Sequence, residues 1–130
     1  MFEQLFKCGI MAEVCKTFEK HEDKIEKTLK KLPDDETIVD IANFFDALGD
    51  ATRVKIVLAL MQEELCTCDL SKITGLSVSA ISHQLRVLKD RRIVTYRREG
   101  KNVFYKIDDD HIQKIVETTL VHLREKLARR

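Results

Sequence analysis

Tryptophan is absent, and the 130 residues include one proline and four glycines. So few breakers permit long helices nearly everywhere. No apolar run approaches the ~20 residues that span a bilayer, so no membrane partner is expected. Residues 1–20 carry acidic side chains and lack the layout of a signal peptide. We therefore expect a soluble, cytoplasmic protein whose Cys8, Cys15, Cys66 and Cys68 are reduced. In that setting thiols serve metal or redox chemistry more often than disulfides. A glycine-rich phosphate loop and a Ser-His-Asp pattern are both missing, so no enzyme is expected.

The apolar fraction of 44% suits a globular chain, and the length suits one small domain. A formal net charge of +1 hides an uneven spread. Residues 77–107 hold eight basic and two acidic side chains, a local charge of +6. Residues 1–40 hold seven basic and ten acidic ones, a local charge of −3. One basic segment in a neutral whole hints at a polyanion surface, although a solvated charged face reads the same way in composition.

Periodicity predicts a mainly helical chain with one hairpin. Residues 1–18 form an arm, and residues 19–130 one domain. Ile25, Leu29 and Leu32 share helical spacing before Pro33 interrupts. Asp34 or Asp35 caps a helix through residue 48, with Ile38, Ile41, Ala42, Phe45 and Leu48 on one side. Asp50 caps the next, over 51–62, expected to bury Val54, Val57, Leu58 and Met61 or their neighbours. A short helix over 68–74 points Leu70 and Ile73 inward and ends at Gly75, which tolerates positive φ. Ser77 or Ser79 caps a helix to about residue 91, with Ile81, Leu85 and Leu88 facing the core. Residues 93–98 and 103–107 alternate as strands around a turn at Glu99-Gly100-Lys101-Asn102. A last helix over 109–126 carries a stripe of Ile112, Ile115, Val116, Thr119, Leu123 and Leu127.

Two helices joined by a glycine turn and followed by a basic hairpin make a winged helix-turn-helix, a mainly α (α+β) fold. A major groove about 12 Å wide admits one helix. Ser79, Ser82, His83 and Gln84 are the candidate base or phosphate contacts on that helix, and Arg86 a candidate phosphate contact. Arg97, Arg98 and Lys101 form a basic tip that would touch flanking backbone or minor groove. The implied partner is double-stranded DNA.

The motifs are specific in combination. They are Ala47-Leu48-Gly49-Asp50-Ala51-Thr52-Arg53 with Ile56, Glu64-Leu65-Cys66-Thr67-Cys68-Asp69-Leu70, Ser82-His83-Gln84-Leu85-Arg86-Val87-Leu88, and Arg98-Glu99-Gly100-Lys101. Over residues 38–125 the chain resembles the ArsR/SmtB family of winged-helix metal sensors, nearest to its cadmium-, lead- and zinc-responsive branch. The resemblance implies a homodimeric repressor that leaves its operator when metal binds, with the first and last helices in the dimer contact.

Two donor clusters could take metal. Asp109, His111, His122 and Glu125 supply two imidazoles and two carboxylates, a zinc-like set. His111 and His122 are eleven residues apart, about 16 Å along a helix. One chain cannot close that site around zinc–nitrogen bonds of about 2 Å, whereas two antiparallel copies can. Spacing leaves another reading open, in which Asp109 is an N-cap, His122 an interface residue and Glu125 a surface charge. The resemblance favours the metal reading, because these four positions match the family's C-terminal-helix zinc site.

Cys8, Cys15, Cys66 and Cys68 form the second cluster, and thiolates suit soft ions such as Cd(II), Pb(II) and Zn(II). The resemblance implies that cysteines of an N-terminal arm meet the Cys-x-Cys of the other subunit. Cys8 and Cys15 are seven apart, wider than that branch's usual spacing and about 10 Å along a helix, so both can bind one ion only if the arm bends, with Gly9 as the place. Another reading makes both ordinary apolar arm residues. An arsenite- or redox-responsive repressor using Cys66 and Cys68 is the alternative, although Ser71 stands where the arsenic branch usually adds a third cysteine. The resemblance implies a hydrogen-bonded shell leading from a metal site toward the recognition helix, with Gln84 as a candidate link.

Overall fold

A computed structural model describes residues 21–129. The predicted arm, with Cys8 and Cys15, lies outside the described residues. These divide between Ile38 and Val39 into two compact units.

In the first unit, α1 (Glu22–Lys31) is an exposed helix. Acids occupy its first turn and lysines its last, matching the helix dipole at both ends. Pro33 follows, and Asp34 then starts α2 (Asp35–Ala47) by accepting from the Thr37 N–H at 3.2 Å. The Thr37 hydroxyl, and then its N–H, holds the Asp34 carboxyl below the usual carboxylate range.

The second unit is the winged helix-turn-helix. It comprises α3 (Ala51–Leu60), α4 (Thr67–Thr74), α5 (Val78–Asp90), β1 (Val94–Glu99), β2 (Asn102–Ile107) and α6 (Asp110–Ala128), entered through the end of α2. Three of these four helix starts have a side-chain cap. Asp50 accepts from Arg53 N, Ser77 from Ala80 N, and Asp109 from His111 N and Ile112 N. Gly75, at φ +78°, ends α4 in the left-handed region. At the end of α5 the same geometry falls to Arg92, at φ +55°. Ile93 N reaches Leu88 O at 2.9 Å and Arg92 N reaches Lys89 O at 2.9 Å, a Schellman closure with both Leu88 and Ile93 buried.

The strands pair antiparallel from Val94↔Ile107 to Glu99↔Asn102, leaving Gly100 and Lys101 as a two-residue loop. Gly100 has φ +62° and Lys101 does not share the sign, as in a type II′ turn. The core gathers Ile56, Val57, Leu60, Leu70, Ile81, Leu85, Leu88, Ile93, Val94 and Ile112 with Ala47.

Two expectations about burial change. On α3 the buried residues are Ile56, Val57 and Leu60, whereas Val54, Leu58 and Met61 are half-buried. The helix is almost apolar all round, so periodicity could not choose its inward side. On α4, Leu70 is buried and Ile73 is 44% exposed. Two turns of helix put only one large side chain into the core, and Ile73 lies off that line.

Candidate nucleic-acid interface and metal-ligand clusters

Burial of Ile81, Leu85 and Leu88 on one side of α5 turns the rest of the helix outward. Ser79, Ser82, His83 and Arg86 are all exposed, with Ser79, Ser82 and Arg86 in one stripe. Gln84 departs from the expectation of a DNA contact. It is half-buried, and its Oε1 accepts from Arg53 Nη1 at 3.1 Å. Arg53 also donates from Nε to Ala47 O at 2.6 Å and from Nη2 to Asp46 O at 3.3 Å. One guanidinium thus ties α5 to the carbonyl end of α2, where a cation is favoured. Gln84 is occupied by this strut, which joins residues 31 apart in sequence. Nothing in the sequence announced it, since Arg53 shares its helix with a second cation, Lys55, and the contact spans 31 residues.

The wing also differs from a uniform basic tip. Arg97 lies inside β1, not at the loop. Its Nε donates to Glu64 and its Nη1 to Glu99 at 2.9 Å, while the guanidinium lies 4.9 Å from the Phe104 ring centre. Glu64, and then Glu99, raises its pKa further. Arg97 therefore braces the wing. Arg98 and Lys101 are exposed and have no ion-pair partner among the described residues.

Cys66 and Cys68 sit at the start of α4, Cys66 as the N-cap and half-buried, Cys68 exposed in the first turn. The Cys66 N–H donates to Asp69 Oδ2 at 3.1 Å. The Cys66 thiol, and then that N–H, holds the Asp69 carboxyl below its usual range. Leu65 pairs with Tyr105 of β2 in both directions, N to O at 3.2 Å and O to N at 2.8 Å. The thiol loop and the wing are thus one hydrogen-bonded unit.

Asp109 has extended backbone at the N-cap of α6, and its Oδ1 is spent on the His111 and Ile112 N–H groups. Its Oδ2 lies 3.4 Å from His111 Nδ1. The His111 side chain, followed by the Ile112 N–H, lowers its pKa. His111, His122 and Glu125 are exposed on α6. A single continuous helix carries both histidines, so their axial separation stays about 16 Å. Among the described residues no three His, Cys, Asp or Glu side chains converge on one point. No described helix is long and apolar enough to cross a membrane.

A family model described as bacterial regulatory protein, arsR family, matches residues 50–96, from the cap of α3 into β1. A cadmium resistance transcriptional regulatory protein CadC homolog from Staphylococcus aureus is 43% identical over 114 residues, which cover 87% of this chain and 93% of that one. The chain belongs to the ArsR family of bacterial regulatory proteins. It is a transcriptional regulator and not an enzyme. A transcriptional repressor SmtB homolog from Synechocystis is 45% identical over 85 residues, 65% of this chain and 64% of that one. In fold the chain is similar to a Mycobacterium bovis domain described as a homodimeric winged helix-turn-helix DNA-binding domain. The TM-score is 0.70 at 24% identity, covering 77% of this chain and 94% of that chain.

Proposed function

We propose that this regulator is a homodimeric repressor that leaves operator DNA when Zn(II), Cd(II) or Pb(II) binds, controlling metal efflux or sequestration. The observation that carries the reading is the Cys66-x-Cys68 thiol pair on the first turn of the helix-turn-helix, in a chain with a cadmium-resistance relative. Thiolates favour soft ions over magnesium or calcium.

The two-copy requirement follows from geometry and surface. The carboxylate–imidazole set lies at the two ends of α6, too far apart for one chain, so Asp109 and His111 of one copy would work with the partner's His122 and Glu125. Two such sites result from a twofold axis. Apolar surface supports the same pairing. Phe45, Val121, Leu123 and Leu127 are each more than half exposed on α2 and α6. Beside them, Leu48, Val54, Leu58, Ile115 and Leu120 help line a groove of 260 Å³. Contiguous apolar surface of this kind marks an interface. Cys8 and Cys15 would complete the thiol set from the arm. In the metal-free dimer the two α5 helices would sit about 34 Å apart, one DNA turn.

The test is release of an operator selected from a random duplex library, titrated with each ion. Wild type, a Cys66→Ser/Cys68→Ser double variant and a His111→Ala/His122→Ala double variant are compared. Release by one of the three ions, abolished in one double variant, supports the reading. An operator affinity unchanged by all three ions ends it.

A further inference from the structure

Ser82, Arg86 and Lys89, spaced four and three residues apart on α5, meet Tyr105 of β2 around a notch of 170 Å³ with Leu85 as its floor. No lining residue is acidic, so its two cations have no counter-charge within it. Neither the Ser82 nor the Tyr105 hydroxyl has a hydrogen-bond partner among the described residues. Lys89 is held in place from the wing side. Its Nζ lies 5.3 Å from the Tyr96 ring centre, and the Tyr96 ring lies 5.9 Å from that of Tyr105. Tyr96 and Tyr105 are opposite partners in the hairpin, so both rings rise from the same face of the wing.

Two cations and two hydroxyl donors around a small concavity are the complement of one tetrahedral oxyanion. The volume is below the roughly 300–1,000 Å³ of pockets that enclose a whole small molecule. We propose that this notch seats a single phosphodiester of the DNA backbone, with Lys89 and Tyr105 as contacts alongside Ser82 and Arg86. The proposal rests on the reading that α5 enters the major groove. The stripe that begins at Ser79 then runs from the groove onto the backbone that borders it. The seat joins helix to wing, so it fixes the angle of α5 on the duplex and carries no base preference.

The experiment measures affinity of the full chain for the selected operator and for a mixed-sequence duplex across a salt series, by fluorescence anisotropy. Lys89→Met keeps the apolar stem and removes the charge. Its plot of log affinity against log salt should be shallower by about 0.9, the loss of one phosphate contact. Affinity should fall by the same factor on both duplexes. Tyr105→Phe should weaken both duplexes about threefold or more with the slope unchanged. Lys114→Met, on α6, should change neither. Inorganic phosphate, followed by NMR shifts of Ser82 and Lys89, provides the second arm. Phosphate binding at the notch with a wild-type DNA slope in Lys89→Met would overturn the proposal in favour of a small-anion site. A wild-type slope without phosphate binding overturns it outright. Failure of the wild type to bind either duplex would remove the DNA reading and the proposal together.

Discussion

Replacing Arg53 tests whether Gln84 braces the fold or reads DNA. The guanidinium makes three hydrogen bonds, to Ala47 O, Gln84 Oε1 and Asp46 O. A hydrogen bond involving a charged group contributes about 1.5–3 kcal/mol, but simple addition overstates this case. The Asp46 contact is long at 3.3 Å and exposed to water, and only the Ala47 and Gln84 contacts are part-buried. Arg53→Met keeps most of the stem packing and should lose about 2–3 kcal/mol. Gln84→Ala should lose about 1 kcal/mol, and the double variant little more than Arg53→Met alone, a coupling of about 1 kcal/mol. In urea a loss of about 2 kcal/mol moves the midpoint down by about 1 M. The complementary assay is operator binding with one base changed at a time. A strut residue should weaken all variants alike. A Gln84→Ala variant of unchanged stability that relaxes preference at a single base pair by about 1–3 kcal/mol would show a base-reading amide and not a strut.

Three further outcomes are expected. Leu85 is 1% exposed at the centre of the core, so Leu85→Ala should cost about 2–5 kcal/mol in urea unfolding, and a loss below about 1 kcal/mol would contradict the packing described. Arg92→Gly should raise stability by about 0.5–1 kcal/mol, because glycine adopts φ +55° without the Cβ clash; an unchanged urea midpoint counts against it. Asp34 has its folded pKa lowered by Thr37, so its contribution is present above the ordinary 3.8 and disappears as pH falls through the folded value. Thr37→Val should return the Asp34 carboxyl toward 3.8 in an NMR titration and flatten that acid-side loss; an unmoved titration would exclude the hydroxyl as the cause.

The helices and hairpin were legible because their boundaries are written in local chemistry. Asp50, Ser77 and Asp109 are side-chain caps, and Gly75 and Gly100 stand where the backbone turns left-handed. Arg92 shows the limit. It occupies the same left-handed position as Gly75, yet nothing in an arginine announces it, because the closure is enforced by buried Leu88 and Ile93. The exposed polar stripe of α5 was half legible. Polar residues on α5 could be found by spacing, but spacing could not say that Gln84 is covered by an arginine 31 residues earlier, or that Arg97 is braced by Glu64. Lys89 and Tyr105 escaped because their meeting depends on how the hairpin folds back on α5, a long-range fact.

Metal bound at the thiol pair, as proposed, would have a short physical route to the helix-turn-helix. Cys66 caps α4, so a constraint on its sulfur acts on the first helix of the helix-turn-helix. Leu65, one residue earlier, exchanges two hydrogen bonds with Tyr105, and Glu64 holds Arg97 of β1. A shift of this loop therefore carries the wing with it, and with the wing one wall of the notch beside α5. The carboxylate–imidazole cluster has a different route, since Asp108, one residue before Asp109, donates its N–H to Ile93 O at 3.0 Å, and the Ile93 N–H donates to Leu88 O of α5 at 2.9 Å. That route reaches the end of α5 without passing through Leu65 or Tyr105. Linkage then distinguishes the two clusters. If ligation at Cys66 weakens DNA binding, DNA must weaken that ligation by the same factor. A Leu65→Pro variant removes the Leu65 N–H and with it one of the two bonds to Tyr105. It should cut the coupling for the thiol site and leave that for the histidine site unchanged.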